Sequence, residues 1–192
     1  ASTWSFNTNG SFVYVHDGSE NTVDTITYVA SDGTATSNVA TVTLTIREIN
    51  DPPTTSGITG ITVVEDAADT VISLFDSFSD PDDADNTLVY SVQANTNAAL
   101  FESTAINAST GSLTLNYAPD ANGAASLTVR ATDPGGLFIQ ATFTVTVTAV
   151  NDAPTMTPGD NISIGEDEGP QSFPNWATGI AAGPSDEAVL PC

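Results

Sequence analysis

The chain has 192 residues and a formal net charge of −22, because 24 acidic side chains face only two basic ones. This charge makes nucleic acids and anionic membrane surfaces poor partners. A single histidine, His16, excludes a zinc site built on several histidines, and a single cysteine, Cys192, excludes an intrachain disulfide. No apolar run is long enough to predict a membrane span in this segment.

Short apolar runs separated by Gly, Pro, Asn and Asp predict β-strands along the whole chain. The clearest pattern lies at 40–46 and 141–147, where apolar residues alternate with threonine. Such alternation is typical of a half-buried antiparallel strand. Further strands are predicted at 12–15, 24–30, 61–64, 70–75, 87–93, 113–116, 125–131 and 161–164. No long 3.6-residue period occurs, so the sequence predicts an all-β sandwich.

The sequence repeats itself with a shift of 101 residues. Residues 26–53 recur without a gap as residues 127–154, and the Glu-Asp pair at 65–66 recurs at 166–167. A repeat of this length can bury its own core. We therefore predict three units: residues 1–50 as the C-terminal half of a repeat, 51–151 as a complete repeat, and 152–192 as the N-terminal part of a third.

Each predicted repeat ends in a short acidic linker that contains proline, Asn-Asp-Pro-Pro at 50–53 and Asn-Asp-Ala-Pro at 151–154. Proline cannot donate a backbone hydrogen bond and restricts φ, so it ends the preceding strand and stiffens the connection. Neighbouring repeats are therefore expected to lie end to end.

These linkers belong to a set of motifs that resembles cadherin-like tandem repeats, in particular those of large bacterial surface and secreted proteins. The other motifs are Ala-Ser-Asp-Gly at 30–33, Ala-Thr-Asp at 131–133, Thr-Gly-Ser-Leu at 110–113 and Asp-Pro-Asp at 80–82, the last followed by Asn86 and Tyr-Ser-Val at 90–92. The resemblance covers nearly the whole chain. It implies tandem Greek-key β-sandwiches of the cadherin and immunoglobulin-like kind, an extracellular or cell-surface location, and Ca²⁺ between successive repeats.

The resemblance also implies which residues bind Ca²⁺. At the first junction they are Asp17, with Ser19 or Glu20 as its companion, and Glu48, Asn50 through its backbone carbonyl, Asp51, Asp80, Asp82 and Asp133. At the second junction they are Glu65, Asp120, Asn151 and Asp152, with Asp186 and Glu187 as the counterpart of the Asp-x-Asp pair. Ala149 and Asn122 stand where the family has acids, so the second site is expected to be weaker or empty.

The chemistry of a carboxylate cluster agrees with this implication. Two bare carboxylates about 4 Å apart repel by roughly 1 kcal/mol in water and about 4 kcal/mol near a protein surface. Calcium takes about six to eight oxygen ligands, and a linker plus loops of two repeats can supply them only at one angle between the repeats. The alternative interpretation is a solvated acidic turn at Asp80, Asp82, Asp83 and Asp85, since aspartate is favoured in turns.

The sequence therefore favours a non-catalytic structural or adhesive module that contacts neighbouring repeats, of the same chain or of another copy, or a surface glycan or protein. Paired carboxylates of a glycosidase would lie in one cleft, whereas these acids recur at junctions, so no enzyme is expected. One alternative is a carbohydrate-binding accessory module of a secreted enzyme, which would expose Trp4, Trp176 or the repeat aromatics on a sheet face. Another is a fibre subunit whose partial repeats complete each other by strand addition between copies.

Overall fold

The computed structural model describes residues 2–7 and 9–183 as an all-β protein, which confirms the predicted fold class. The complete repeat predicted at 51–151 is called the middle repeat below. Before it the strands are β1 (Thr3–Phe6), β2 (Phe12–Val15), β3 (Val23–Tyr28) and β4 (Ala40–Thr45). Within it they are β5 (Thr54–Thr55), β6 (Ile61–Val64), β7 (Thr70–Ser73), β8 (Phe78–Ser79), β9 (Val89–Asn95), β10 (Phe101–Asn107), β11 (Ser112–Tyr117), β12 (Gly123–Thr132) and β13 (Phe138–Thr148). A 3₁₀ turn at Ala98–Leu100 precedes β10, and β14 (Thr155–Thr157) and β15 (Thr178–Ala181) follow the middle repeat.

Residues 54–148 form two facing sheets and a short two-stranded edge. One sheet has the order β6-β13-β12-β9, the other has the order β10-β11-β7, and β5 pairs with β8. The neighbours are antiparallel except β6, which runs parallel to β13. Because β6 and β9 are not consecutive with their sheet neighbours, the chain crosses between the sheets, as in a Greek-key sandwich.

The core lies between these two sheets and comes from the alternation seen in the sequence. Leu127 and Val129 of β12, Val145 of β13, and Leu113 and Leu115 of β11 are completely buried. The threonines between them face outwards, and the hydroxyls of Thr128 and Thr142, directly opposite in the ladder, are 2.9 Å apart. Burial of one face of each sheet is the main source of stability for this unit.

The strands outside the middle repeat recur at the shift found in the sequence. Val23 pairs with Thr45 across β3 and β4, as Ala124 pairs with Thr146 across β12 and β13. The burial differs, however: Tyr28 is 44% exposed, whereas Val129, its equivalent at the shift of 101, is buried. The hairpins β1–β2, β3–β4 and β14–β15 thus keep the local pairing without the facing sheet.

One predicted strand is wrong. Residues 161–164 form no strand, although their equivalents near 61–64 form β6. The reason is that β6 is held by its pairing with β13, and no such partner lies beside 161–164 in the part of the chain that the structure describes. In that same part, no helix is long and apolar enough to cross a membrane.

Candidate functional site

A group of acidic side chains surrounds the linker that enters the middle repeat. Glu20 follows β2, Glu48 lies in the linker, and Asp82 follows β8; one carboxylate oxygen from each lies within 4.8 Å of the others. We call these three residues the first junction cluster. A cleft of about 280 Å³ opens beside them and is lined by Glu48, Asn50, Asp82 and Asp83.

The linker is held against the middle repeat by side-chain hydrogen bonds. The backbone N–H of Asp51 donates to Oδ2 of Asp82 at 2.6 Å, and Nδ2 of Asn50 donates to Oδ2 of Asp133 at 2.9 Å. The packing is close at Gly135, where an added Cβ would lie 2.7 Å from the Asn50 side chain. The structure therefore brings together Asn50, Asp51, Asp82 and Asp133, four of the residues that the family resemblance implies as ligands.

Asp133 is almost completely buried, with 4% of its surface exposed, and it lies just after β12. Burial opposes its ionisation, but the hydrogen bond from Asn50 and those from backbone N–H groups, including that of Leu137, outweigh this effect and lower its pKa. Asp133 is therefore charged at neutral pH and anchors the linker.

Two aspartates of the loop after β8 carry oxygens that lack a hydrogen-bond donor. Oδ1 of Asp80 accepts from the backbone N–H groups of Asp82 and Asp83, at 2.9 and 3.0 Å. Oδ2 of Asp80 and Oδ1 of Asp82 are shielded from solvent and have no such partner among the residues that the structure describes. A shielded carboxylate oxygen normally has a donor or a cation beside it. The all-oxygen donor set and these two atoms fit a hard cation such as Ca²⁺.

The pKa values of two acids around this cluster are raised, in part because like charges lie close together. The pKa of Glu20 is raised first by the Asp82 carboxylate beside it, which would accept a hydrogen bond only from protonated Glu20, then by burial and by the charges of Asp82, Asp51 and Glu48. Burial and the charges of its aspartate neighbours raise the pKa of Asp83. Both shifts mean that the negative charges repel one another when no cation lies among them.

Asp17 is placed differently from the other predicted ligands of the first junction. Its Oδ1 accepts hydrogen bonds from the hydroxyl and the backbone N–H of Ser19, and these bonds hold its pKa below the usual range. Of the two possible companions, Glu20 joins the first junction cluster, whereas the Ser19 hydroxyl is used by Asp17.

A second acidic group lies where the chain leaves the middle repeat. Oxygens of Asp66, Asp120 and Asp152 lie within 4.8 Å of one another; these three residues are the second junction cluster. Glu65, only 4% exposed, accepts a hydrogen bond at Oε1 from the backbone N–H of Val150. Its Oε2 is shielded and has no hydrogen-bond partner in the described part of the chain.

The other predictions for the second junction have different outcomes. Nδ2 of Asn151 donates to the carbonyl oxygen of Asp152 at 2.8 Å. Asp186 and Glu187 lie outside the described residues. Asp66 is not among the predicted ligands, although its recurrence in the Glu-Asp pair at 166–167 was a signal.

The aromatic residues of the middle repeat are mostly core. Phe78, Tyr90 and Phe101 are buried, and Phe75 packs against Tyr90 with ring centroids 5.9 Å apart. Outside it, Trp4 packs on Phe12 and Tyr14, and Trp176 is 42% exposed while its Nε1 donates to the carbonyl of Asp160. This distribution favours a structural module over a carbohydrate-binding module that stacks sugars on exposed aromatic rings.

Comparison with known families and structures agrees with this architecture. The sequence profile of a family described as bacterial Ig domain matches residues 50–148, slightly more than half of the chain. No curated protein sequence matches the chain.

Solved cadherin ectodomain structures have a similar fold. Domains EC22–24 of mouse cadherin-23 are 21% identical with a TM-score of 0.56, over 77% of this chain and 50% of that one. Domains EC1–2 of human mucin-like protocadherin are 17% identical with a TM-score of 0.54, over 78% and 81%. Cadherin domains 1–5 of protocadherin gamma B2 are 20% identical with a TM-score of 0.52, over 85% and 34%, so the chain spans about a third of that structure. At these identities the likeness shows the fold alone.

Proposed function

Because the chain belongs to the bacterial Ig domain family, we propose that it is a non-catalytic extracellular module, structural or adhesive, whose junctions bind Ca²⁺. Calcium there stiffens a surface adhesin or fibre. The partners of the middle repeat are its neighbouring repeats, in the same chain or in another copy. This proposal includes the domain boundaries predicted above, with repeats meeting near residues 50 and 151.

The observation that carries the proposal is the pair of shielded oxygens at the first junction, Oδ2 of Asp80 and Oδ1 of Asp82. Neither has a hydrogen-bond donor within residues 2–7 and 9–183. Acidic side chains on a solvated turn would point their oxygens at water. Here they are shielded beside the first junction cluster, which adds the carboxylates of Glu20 and Glu48. Gathering like charges in this way is costly, and a divalent cation removes the cost.

The ligands of such a site would come from three parts of the chain. Glu20 lies before the linker, Glu48, Asn50 and Asp51 lie in it, and the remaining acids lie in the middle repeat: Asp80, Asp82 and Asp133. The hydrogen bonds of Asp51 and Asn50 hold the linker in place before any ion binds. Bound there, Ca²⁺ would supply the positive charge that lets these carboxylates stay close, and so would hold one angle between the repeats.

Small-angle X-ray scattering with and without millimolar calcium tests this proposal. The wild type is compared with Asp80→Ala/Asp82→Ala and with Asp69→Ala/Asp76→Ala, which removes the same charge from exposed positions outside both clusters. Calcium should lengthen and narrow the scattering particle for the wild type and the control, but not for the first variant. If the wild-type profile is the same with calcium and with chelator, the proposal is wrong.

The two alternatives fare differently. Burial of Phe78, Tyr90 and Phe101 does not support a carbohydrate-binding module. Self-assembly through the partial repeats is supported by exposed apolar side chains, since Phe12 is 39% exposed whereas its equivalent Leu113 is completely buried. Scattering at several protein concentrations tests this second candidate, because assembly between copies makes the particle grow with concentration.

A further inference from the structure

We infer that Asp66 is a cation ligand of the second junction, in a site formed by the middle repeat and the linker that leaves it. This inference rests on the proposed function but reverses the expectation that the second site is weak or empty. That expectation came from Ala149 and Asn122, which replace two acids. The structure supplies another carboxylate from a different position of the fold.

Asp66 reaches the site because of its backbone conformation. It directly follows β6 and Glu65 and has a φ of +57°, in the left-handed region. Asp120, between β11 and β12, has a φ of +53°, and its backbone N–H donates to Oδ1 of Asp66 at 3.2 Å. Aspartate is among the few non-glycine residues found in this region. The two turns thus present their carboxylates to each other and to Asp152 of the linker.

Glu65 gives a second and independent indication of a cation. Only 4% of the surface of Glu65 is exposed, and its Oε1 accepts a hydrogen bond from the backbone N–H of Val150. The other oxygen, Oε2, is buried, and none of the described residues donates a hydrogen bond to it. Asp133, equally buried at the other end of the repeat, accepts hydrogen bonds on both oxygens. Burial alone therefore does not explain the unsatisfied oxygen of Glu65, whereas coordination of a cation does.

No basic side chain of the middle repeat neutralises this group. Arg130 is the single basic residue within 51–151, and its guanidinium lies 4.1 Å above the Phe138 ring. The same guanidinium donates hydrogen bonds to the side-chain oxygen of Gln140. A set of oxygens of this kind is what Ca²⁺ selects.

The two junctions therefore have different architectures. The first junction cluster takes one acid from before the linker, one from the linker and one from the repeat that follows. The second takes Asp66 and Asp120 from one repeat and Asp152 from its outgoing linker. A cation in the second site clamps the linker onto the repeat that it leaves, and so sets the direction of the chain there.

Backbone NMR of the full chain during a Ca²⁺ titration tests the role of Asp66. The amides of Asp120 and Val150 report on the second junction, and those of Asp51 and Leu137 report on the first. The variant Asp66→Asn suits the positive φ and removes the charge, and Asp66→Gly removes the side chain while also tolerating that φ. Asp69→Asn is the matched control, with the same charge loss in the same loop.

In both Asp66 variants the Ca²⁺ concentration that half-saturates the second-junction shifts should rise by about tenfold or more, while the first-junction shifts stay within about twofold of the wild type. Asp69→Asn should titrate like the wild type at both junctions. If both Asp66 variants titrate like Asp69→Asn, the inference is wrong while calcium binding at the junctions stands. If neither set of wild-type amides responds to Ca²⁺, the proposed function itself fails.

Discussion

The substitution Asp82→Asn should have opposite effects on stability with and without calcium. Asparagine keeps an oxygen that can accept the Asp51 N–H but removes one charge from the first junction cluster. The oxygens of Glu48 and Asp82 lie within 4.8 Å of each other. Two unit charges at that separation repel by about 0.9 kcal/mol in water and about 3.5 kcal/mol at an effective dielectric constant of about 20. Without calcium the substitution should therefore leave the melting temperature unchanged or raise it.

With calcium the sign reverses. At a calcium concentration about 100 times Kd, binding stabilises the wild type by about 2.7 kcal/mol. If the substitution weakens binding about tenfold, the gain at that concentration falls to about 1.4 kcal/mol. The difference of about 1.3 kcal/mol corresponds to a melting temperature lower by about 5–10 °C for a domain of roughly 100 residues.

Differential scanning calorimetry in chelator and in millimolar calcium measures both effects. Asp85→Asn is the control, because it removes a charge from the same loop outside the first junction cluster. If Asp82→Asn lowers the melting temperature equally in both conditions, Asp82 acts only as a hydrogen-bond acceptor and the electrostatic reasoning is refuted.

Three further predictions concern the middle repeat. Gly111→Ala should destabilise it by about 1–3 kcal/mol in denaturant unfolding, because Gly111 has a φ of +61° and an added Cβ would lie 2.3 Å from the Phe75 ring; wild-type stability would contradict this. Burial, and then a nearby carboxylate, raise the pKa of Tyr90 to about 12. An unfolded tyrosine titrates near pH 10, so the contribution of Tyr90 to the free energy of unfolding is complete below about pH 10 and is lost as the pH rises towards 12. Phenolate absorbance measures the titration of Tyr90, and Tyr90→Phe should remove this part of the pH dependence of stability. Asn50→Ala should raise the pKa of Asp133 by removing a donor to its carboxylate, and an unchanged pKa in an NMR titration would show that the backbone donors suffice.

The fold was predictable because it depends on a pattern that spans many residues. Alternation at 141–147 locates β13, and that at 113–116 locates β11, because an uninterrupted apolar face must be buried. The same reasoning failed at 161–164, where no strand among the described residues lies beside the apolar run to hold it. It also missed β10 (Phe101–Asn107), whose residues alternate weakly and which is held by pairing with β11.

The two junction clusters were less predictable because they depend on single loops. The linker acids and the Asp-x-Asp pair are visible as motifs, so Asp51, Asp80 and Asp82 could be named from the sequence. Which acid of the loop after β2 lies beside Asp82 depends on how that loop turns. In the structure it is Glu20, whereas Asp17 accepts a hydrogen bond from Ser19. The contribution of Asp66 depends on one positive φ, which the residue type permits but does not require.

The two junction clusters should bind cations independently of each other. Asp120 lies just before β12 and Asp133 just after it, so the clusters are separated by about the length of this strand. The ten residues of β12 span about 33 Å at roughly 3.3 Å per residue, several times the Debye length of about 8 Å at physiological ionic strength. Charge at one junction is therefore screened from the other, and any coupling would have to pass through a close-packed sandwich. It follows that loss of ligands at one end should leave titration at the other end unchanged, so that each junction serves as the internal control for its neighbour.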